Sequence, residues 1–348
     1  MELQENVPLA PLTTLEVGGS AKFLVRVASR KDVEEAVAFV RAKQLRLFVL
    51  GGGSNLVVSD AGWDGLVLQI GIPGIEERRE QGKVLLDVGA GVDWDNFVAH
   101  CVSQKYAGVE CLSGIPGSVG GTPVQNVGAY GQEVSESIVS VLGFDLATNA
   151  VRELSASDCG FGYRSSIFNT QQRERYIILQ VRYRLVPEGR PSLRYADLQK
   201  YFTGRDGTPT LAQTRDAVRS IRASKGMLIT PGDPDSRSAG SFFKNPVLSA
   251  SQHEELERRA AERNLQVPSY PALSQQQKVS AAWLVENSGL KKGYVKGKVG
   301  ISSKHALAII NRGGATTAEI VGLSNEIQDR VEQNWGLRLE PEPVFLAF

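Results

Sequence analysis

The chain is poor in the side chains on which metal and thiol chemistry rest, with three histidines (His100, His253 and His305) and three cysteines (Cys101, Cys111 and Cys159) in 348 residues. No Cys-x-x-Cys pair occurs, and any disulfide scheme leaves one thiol over. The cysteines therefore read as buried thiols of a reducing compartment, and no metal site is expected. Neither sign of charge dominates, with 39 Lys plus Arg against 38 Asp plus Glu. That balance excludes the electrostatic footprint of a nucleic-acid or anionic-membrane partner and leaves a small molecule as the default. No apolar run approaches the ~18 residues of a membrane span, and the start Met1-Glu2-Leu3-Gln4-Glu5 is acidic and lacks the apolar stretch of a secretion signal. A cytoplasmic monomer is expected. Repeats and low-complexity tracts are absent, as are the Walker loop Gly-x-x-x-x-Gly-Lys-Ser/Thr and the dinucleotide fingerprint Gly-x-Gly-x-x-Gly, which excludes a P-loop NTPase or an ordinary Rossmann domain.

What is present reads as alternating helices and strands, at a length that calls for two or three domains. Apolar residues at helical spacing predict helices over residues 32–43, 93–104, 211–224, 252–263 and 275–286. Thr316-x-x-Glu319 is a capping box opening a further helix striped by Ile320, Leu323, Ile327 and Val331, ended by Gly336 and packed on a sheet. Short apolar runs predict strands over residues 47–50, 56–59, 66–70, 84–88, 138–144 and 176–185. Residues 187–210 and 226–238, rich in Gly, Pro and charge, read as long loops.

Gly51-Gly52-Gly53-Ser54-Asn55-Leu56 follows a strand directly, so its backbone N–H groups are free to converge on phosphate oxygens. A tight turn explains it equally well. The second cluster is longer: Ser113-Gly114-Ile115-Pro116-Gly117, then Gly120-Gly121, followed by Asn126, Gly128, Ala129 and Tyr130. Two such loops, neither carrying a lysine, suit a dinucleotide whose pyrophosphate lies between them. A third feature is Ala239-Gly240-Ser241-Phe242-Phe243-Lys244-Asn245-Pro246, which presents one serine between small residues and an aromatic pair. Ser241 lacks the Gly-x-Ser-x-Gly setting of a hydrolase nucleophile and has few histidines to serve it, so a proton donor fits better than a nucleophile. An ordinary turn ahead of two core phenylalanines is the competing reading.

The two glycine loops together with Val88-Gly89-Ala90-Gly91-Val92 resemble the FAD-binding fold of vanillyl-alcohol oxidase and p-cresol methylhydroxylase. With Phe161-Gly162-Tyr163-Arg164-Ser165-Ser166 and the Ser241 octapeptide added, nearly the whole chain resembles the UDP-N-acetylenolpyruvoylglucosamine reductases, in their long-loop subtype. The resemblance implies an α+β or α/β chain with a two-part FAD-binding fold (residues 1–70, then 71–210 with 325–348) and a substrate-binding domain over 211–324. It implies non-covalent FAD, since Ser54 and Asn55 stand where covalent relatives carry a flavin-attaching histidine, and NADPH as co-substrate.

Hydride from NADPH would pass through FAD to the enolpyruvyl group of UDP-N-acetylenolpyruvoylglucosamine, giving UDP-N-acetylmuramate for peptidoglycan synthesis. The same resemblance assigns Ser241 as proton donor, with Arg164 and Glu342 holding the developing charge. Tyr130, Tyr195, Arg222, Lys225 and Asn245 would face the substrate. Arg215, Arg219 and Arg222, with Lys225, form a basic stripe suited to a diphosphate or to solvent. After Glu342 comes Pro343-Val344-Phe345, where some relatives have a substrate-binding arginine. Two alternatives are a flavin oxidase of the same fold acting on another substrate and a non-catalytic nucleotide-binding protein.

Overall fold

The computed structural model describes residues 2–205, 207–272 and 275–348. Met1 of the acidic start and Asp206 of the expected 187–210 loop lie outside the described residues. The chain divides into two compact units, one of Met1–Val7, Ala21–Gly53 and Trp63–Ala223, the other of Pro8–Ser20, Ser54–Gly62 and Ser224–Phe348.

Two larger sheets build the first unit, beside a two-stranded pair of Gly128–Ala129 with Gln132–Glu133. One runs in the order Leu3–Pro8, Ser20–Val27, Trp63–Ile70, Arg46–Leu50, with the last three strands parallel. Helix α1 (Arg30–Ala42) joins two of them, capped by the Ser29 side chain, and it buries Val33, Ala36, Val37 and Val40. The other sheet is antiparallel, in the order Ala150–Ser155, Ile138–Asp145, Tyr176–Pro187, Lys83–Gly89, Ile75–Glu80. Helix α2 (Trp94–Ser103) starts at the Asp93 cap that the sequence indicates, and its Trp94 and Phe97 pack on Tyr183. The Tyr183 phenol meets Thr122 Oγ1 at 2.9 Å, so its buried hydroxyl is satisfied.

The stretch 187–210, expected as loop, contains the seven-residue helix α3 (Ala196–Phe202). It buries Leu198 against Cys111, Tyr130 and the Ala217–Val218 face of α4 (Leu211–Ser224). This packing places α4 with the first unit, where the sequence assigned it to the substrate segment. All three thiols are buried, and desolvation pushes each well above its ordinary value.

The second unit is built around α7 (Thr317–Trp335). Its Thr316 capping box forms as the sequence indicates, and Gly336 ends it in the left-handed conformation at φ 70°. Ile320, Leu323, Ile327, Val331 and Trp335 join Phe242, Phe243, Leu284, Val299 and Ile301 in one core. Ahead of α7 lie α5 (Ala250–Ala261) and α6 (Ala281–Glu286). The expected helix over 275–286 is shorter than its pattern. Gln277–Val279 forms a strand paired with Val247–Leu248 and Ser269–Pro271, and Ser280 then caps α6 through the Trp283 N–H. The β-branched Val279 and the capping serine end the strand where a helical count runs on.

A second difference concerns the C-terminus. Val344–Leu346 pairs in parallel with Leu56–Val58, and α7 packs in the second unit's core, so residues 325–348 join segments 8–20 and 54–62 instead of returning to 71–210.

Candidate active site

In the first unit the two glycine loops touch at backbone distance. A Cβ built on Gly52 would stand 2.5 Å from Gly117 Cα, and one on Gly51 would stand 2.9 Å from Ser118 Oγ. Gly53 (φ 65°) and Gly117 (φ 127°) also need conformations that side chains resist. Only glycine permits this approach. Ser118 Oγ is buried there without a hydrogen-bond partner. A lone buried hydroxyl costs stability unless an acceptor reaches it, and a phosphate oxygen supplies one. The residues therefore fit a dinucleotide phosphate. Ser118 lies inside the second glycine motif but was not singled out from sequence.

Other nominated residues serve the loops themselves. Ser113 donates its hydroxyl to the Glu110 carbonyl at 2.6 Å. Gly120 packs so closely that a Cβ would lie 2.7 Å from Ala90 Cβ, whereas one on Gly121 would meet Ser118 Oγ at an ordinary 4.0 Å. Ile115 and Pro116 are half-buried. Asn126 donates to Glu133 (2.8 Å) and the Gly162 carbonyl (3.0 Å) and accepts from the Ser135 N–H, which pins the turn into the Gly128–Ala129 strand. Arg164 Nη2 donates to the Gly128 carbonyl at 2.8 Å, so the arginine is tied to the loop that follows the second glycine cluster. Its backbone is left-handed, at φ 52°.

The basic stripe on α4 divides. Arg215 and Arg219 both bind Asp95 of α2, Arg215 as a fork at 2.6 and 3.0 Å. Asp95 also accepts the Gly114 N–H at 2.6 Å. Although burial opposes it, these donors, Arg215 first, hold the carboxylate below its usual range. Both arginines are therefore tied to one carboxylate on α2, and nothing in the local sequence could indicate a partner 120 residues away from Arg215. Arg222 is different. It is buried, donates Nε to the Gly114 carbonyl at 3.0 Å and is bonded to Tyr130, while burial lowers its pKa. Tyr130 stacks edge-on against Tyr195, centroids 5.4 Å apart, and Tyr195 is half-exposed just ahead of α3.

In the second unit the Ser241 octapeptide lies in a hydrogen-bonded frame. Phe242 N–H donates to the Leu307 carbonyl at 2.8 Å, the Phe242 carbonyl accepts from the Glu342 N–H at 2.9 Å, and Lys244 N–H donates to the Glu340 carbonyl at 3.0 Å. The Phe242 and Phe243 rings are fully buried, and Phe242 also packs on Phe345. Ser241, half-buried, thus sits one residue from a backbone group bonded to Glu342. Asn55 donates its side-chain amide to the Glu342 carbonyl at 3.3 Å, and its own carbonyl accepts from Val344 N–H. Leu56 pairs with Val344.

Ser54 shares the Thr14 hydroxyl with Ser238, at 3.4 and 2.7 Å to the two carbonyls. The first glycine motif is therefore split: Gly51, Gly52 and Gly53 belong to the first unit, Ser54, Asn55 and Leu56 to the second. Asn245 accepts the Ala281 N–H at 2.9 Å, a contact at the start of α6 that occupies its carbonyl oxygen. Lys225, half-buried, is the second residue of the second unit's last segment. The described residues contain neither a helix able to cross a membrane nor a cluster of three metal-ligating side chains.

The FAD binding domain family matches residues 21–151, and the UDP-N-acetylenolpyruvoylglucosamine reductase C-terminal domain family matches residues 233–346. Glycine cradle and family match together define an oxidoreductase with an FAD-binding domain. The chain is 47% identical to the UDP-N-acetylenolpyruvoylglucosamine reductase of Thermobifida fusca (strain YX), over 98% of this chain and 97% of that one. It is 44% identical to the Salinispora arenicola (strain CNS-205) reductase, over 97% and 94% of the two chains. The crystal structure of the reductase from Thermus caldophilus superposes with a TM-score of 0.66 at 25% identity, over 99% of this chain and 98% of that one. The chain belongs to the UDP-N-acetylenolpyruvoylglucosamine reductase family.

Proposed function

We propose that the chain reduces the enolpyruvyl ether of UDP-N-acetylenolpyruvoylglucosamine to UDP-N-acetylmuramate, as a cytoplasmic monomer whose product serves peptidoglycan synthesis and with it cell shape and division. The observation that carries this reading is the frame around Phe242, which holds Ser241 and Glu342 in one hydrogen-bonded register inside a chain that matches the family along its length. FAD, when bound, supplies hydride transfer from NADPH to the vinyl carbon of the substrate.

The residues of the chain do the rest. Gly51, Gly52, Gly53 and Gly117 let the two loops come together, and the Ser118 hydroxyl buried there donates to the FAD pyrophosphate. Hydride addition leaves charge spread over the substrate's carbon and carboxylate, and the Arg164 fork binds that carboxylate. Glu342 assists if it is protonated or hydrogen-bonded, so that it does not repel the anion. The Ser241 hydroxyl, a weak acid, suffices because the carbanion-like carbon is a strong base. Tyr195, Tyr130, Arg222, Lys225 and the amide of Asn245 take the nucleotide and sugar. Arg215 and Arg219 are held on the one Asp95 carboxylate, so the diphosphate is assigned to Arg222 and Lys225.

The test is an anaerobic mixture of the FAD-loaded protein with NADPH, followed by UDP-N-acetylenolpyruvoylglucosamine. Flavin absorbance should bleach and then return. Protein that stays colourless after FAD addition, or bleaching that the substrate does not reverse, would overturn the reading.

A further inference from the structure

Asp95 stands on the first turn of α2 and gathers donors from two other places in the first unit: the Gly114 N–H at 2.6 Å, the Arg215 fork at 2.6 and 3.0 Å, and Arg219. On its other side Gly114 gives its carbonyl to the buried Arg222 Nε at 3.0 Å. Gly114 is left-handed at φ 71°. Both backbone polar groups of one glycine are thus held by side chains from two helices, and the carboxylate that holds the N–H also ties those helices together. A lone turn glycine has wide conformational freedom. This one is fixed from both sides, at the start of the loop that leads to Gly117 and Ser118. Arg215 and Arg219 keep the carboxylate ionised and in place, so its hydrogen bond to the Gly114 N–H is charge-assisted.

We infer that Asp95 is a positioning residue that holds the Ser113–Gly117 loop in the shape that receives a dinucleotide phosphate, acting through the Gly114 N–H. This rests on the reading that the loop binds FAD. The Gly114 N–H is bonded to Asp95 and makes no bond to a backbone carbonyl, so removing the carboxylate frees the loop to populate shapes in which Gly117 and Ser118 no longer face one ligand. Affinity then falls by the fraction of molecules left in the binding shape.

The experiment titrates apoprotein with FAD and follows quenching of flavin fluorescence, with no turnover involved. Asp95→Ala should raise the FAD Kd about tenfold, the loss of one charge-assisted hydrogen bond expressed as an equilibrium constant. Asp95→Asn loses the same ion pairs but keeps an acceptor for Gly114, and should stay within about threefold of the parent. A merely structural ion-pair role would shift both variants alike. If Asp95→Ala does not fold, Asp95→Ser reads the same quantity, since its hydroxyl is too short to reach the loop. A parent protein that binds no FAD would end the FAD reading itself. A parent that binds FAD while Asp95→Ala binds as tightly, or while Asp95→Asn is as weak as Asp95→Ala, would overturn the positioning role.

Discussion

Replacing Ser241 by alanine separates structure from chemistry, because the position of residue 241 is set by its neighbour. Phe242 is held by its N–H on Leu307 at 2.8 Å, by its carbonyl on the Glu342 N–H at 2.9 Å, and by a ring with no exposed surface. Loss of one hydroxyl at the half-buried residue before it leaves that frame intact, and stability should change by no more than about 0.5 kcal/mol. The kinetic effect is much larger. A positioned proton donor contributes about 10²–10⁴ in rate, which at ~1.4 kcal/mol per decade is roughly 3–5 kcal/mol of barrier. Stopped-flow absorbance under anaerobic conditions resolves the two half-reactions. Bleaching of the flavin by NADPH should proceed at a rate within about twofold of the parent, while its recolouring by UDP-N-acetylenolpyruvoylglucosamine slows by about 10²–10⁴. Equal slowing of both halves would mean that Ser241 supports the fold or the flavin, and an unchanged second half would mean that another group supplies the proton.

Ser118→Ala should act with opposite signs on apoprotein and holoprotein. Removing the partnerless buried hydroxyl stabilises the apoprotein by up to about 1 kcal/mol, seen as a higher melting temperature, while FAD affinity falls about tenfold by fluorescence titration. Acid stability should depend on Asp145, whose buried carboxylate the Arg175 guanidinium holds well below the usual carboxylate range. A depressed folded-state pKa gives stability that is present above the ordinary carboxylate pKa and lost as pH falls through the folded value. Asp145→Asn should therefore lower the melting temperature at pH 7 and flatten its decline below about pH 4. An unchanged slope on acidification would refute that linkage.

Local signals carried much of the fold. The Thr316 capping box, the Asp93 cap and the bounds of α4 follow from side chains within one or two turns, and each forms as read. Non-local pairing escaped. Segments 8–20 and 54–62 join the second unit because Asn311 donates to the Leu15 and Glu16 carbonyls and because Leu56–Val58 finds Val344–Leu346, and no local pattern encodes either contact. Helix α3 was hidden because seven residues are too few to show a period. At the candidate site the glycine spacing marked the loops, since close backbone approach demands glycine whatever lies opposite. What the sequence could not separate was cations tied to a carboxylate on another helix from a cation tied to a loop carbonyl. Arg215, Arg219 and Arg222 look alike on one helical stripe until Asp95 and the Gly114 carbonyl are placed beside them.

The pairing of Leu56–Val58 with Val344–Leu346 also imposes an order on synthesis. The first unit's last segment ends at Ala223, whereas the second must wait for its closing strand. Asn55 meets its Glu342 partner 287 positions later in the chain. Until then the Leu56–Val58 edge has no strand to complete it, and an unpaired edge exposed through translation is where aggregation starts. Ribosome-bound chains truncated before Val344 are the species that a cell must shield.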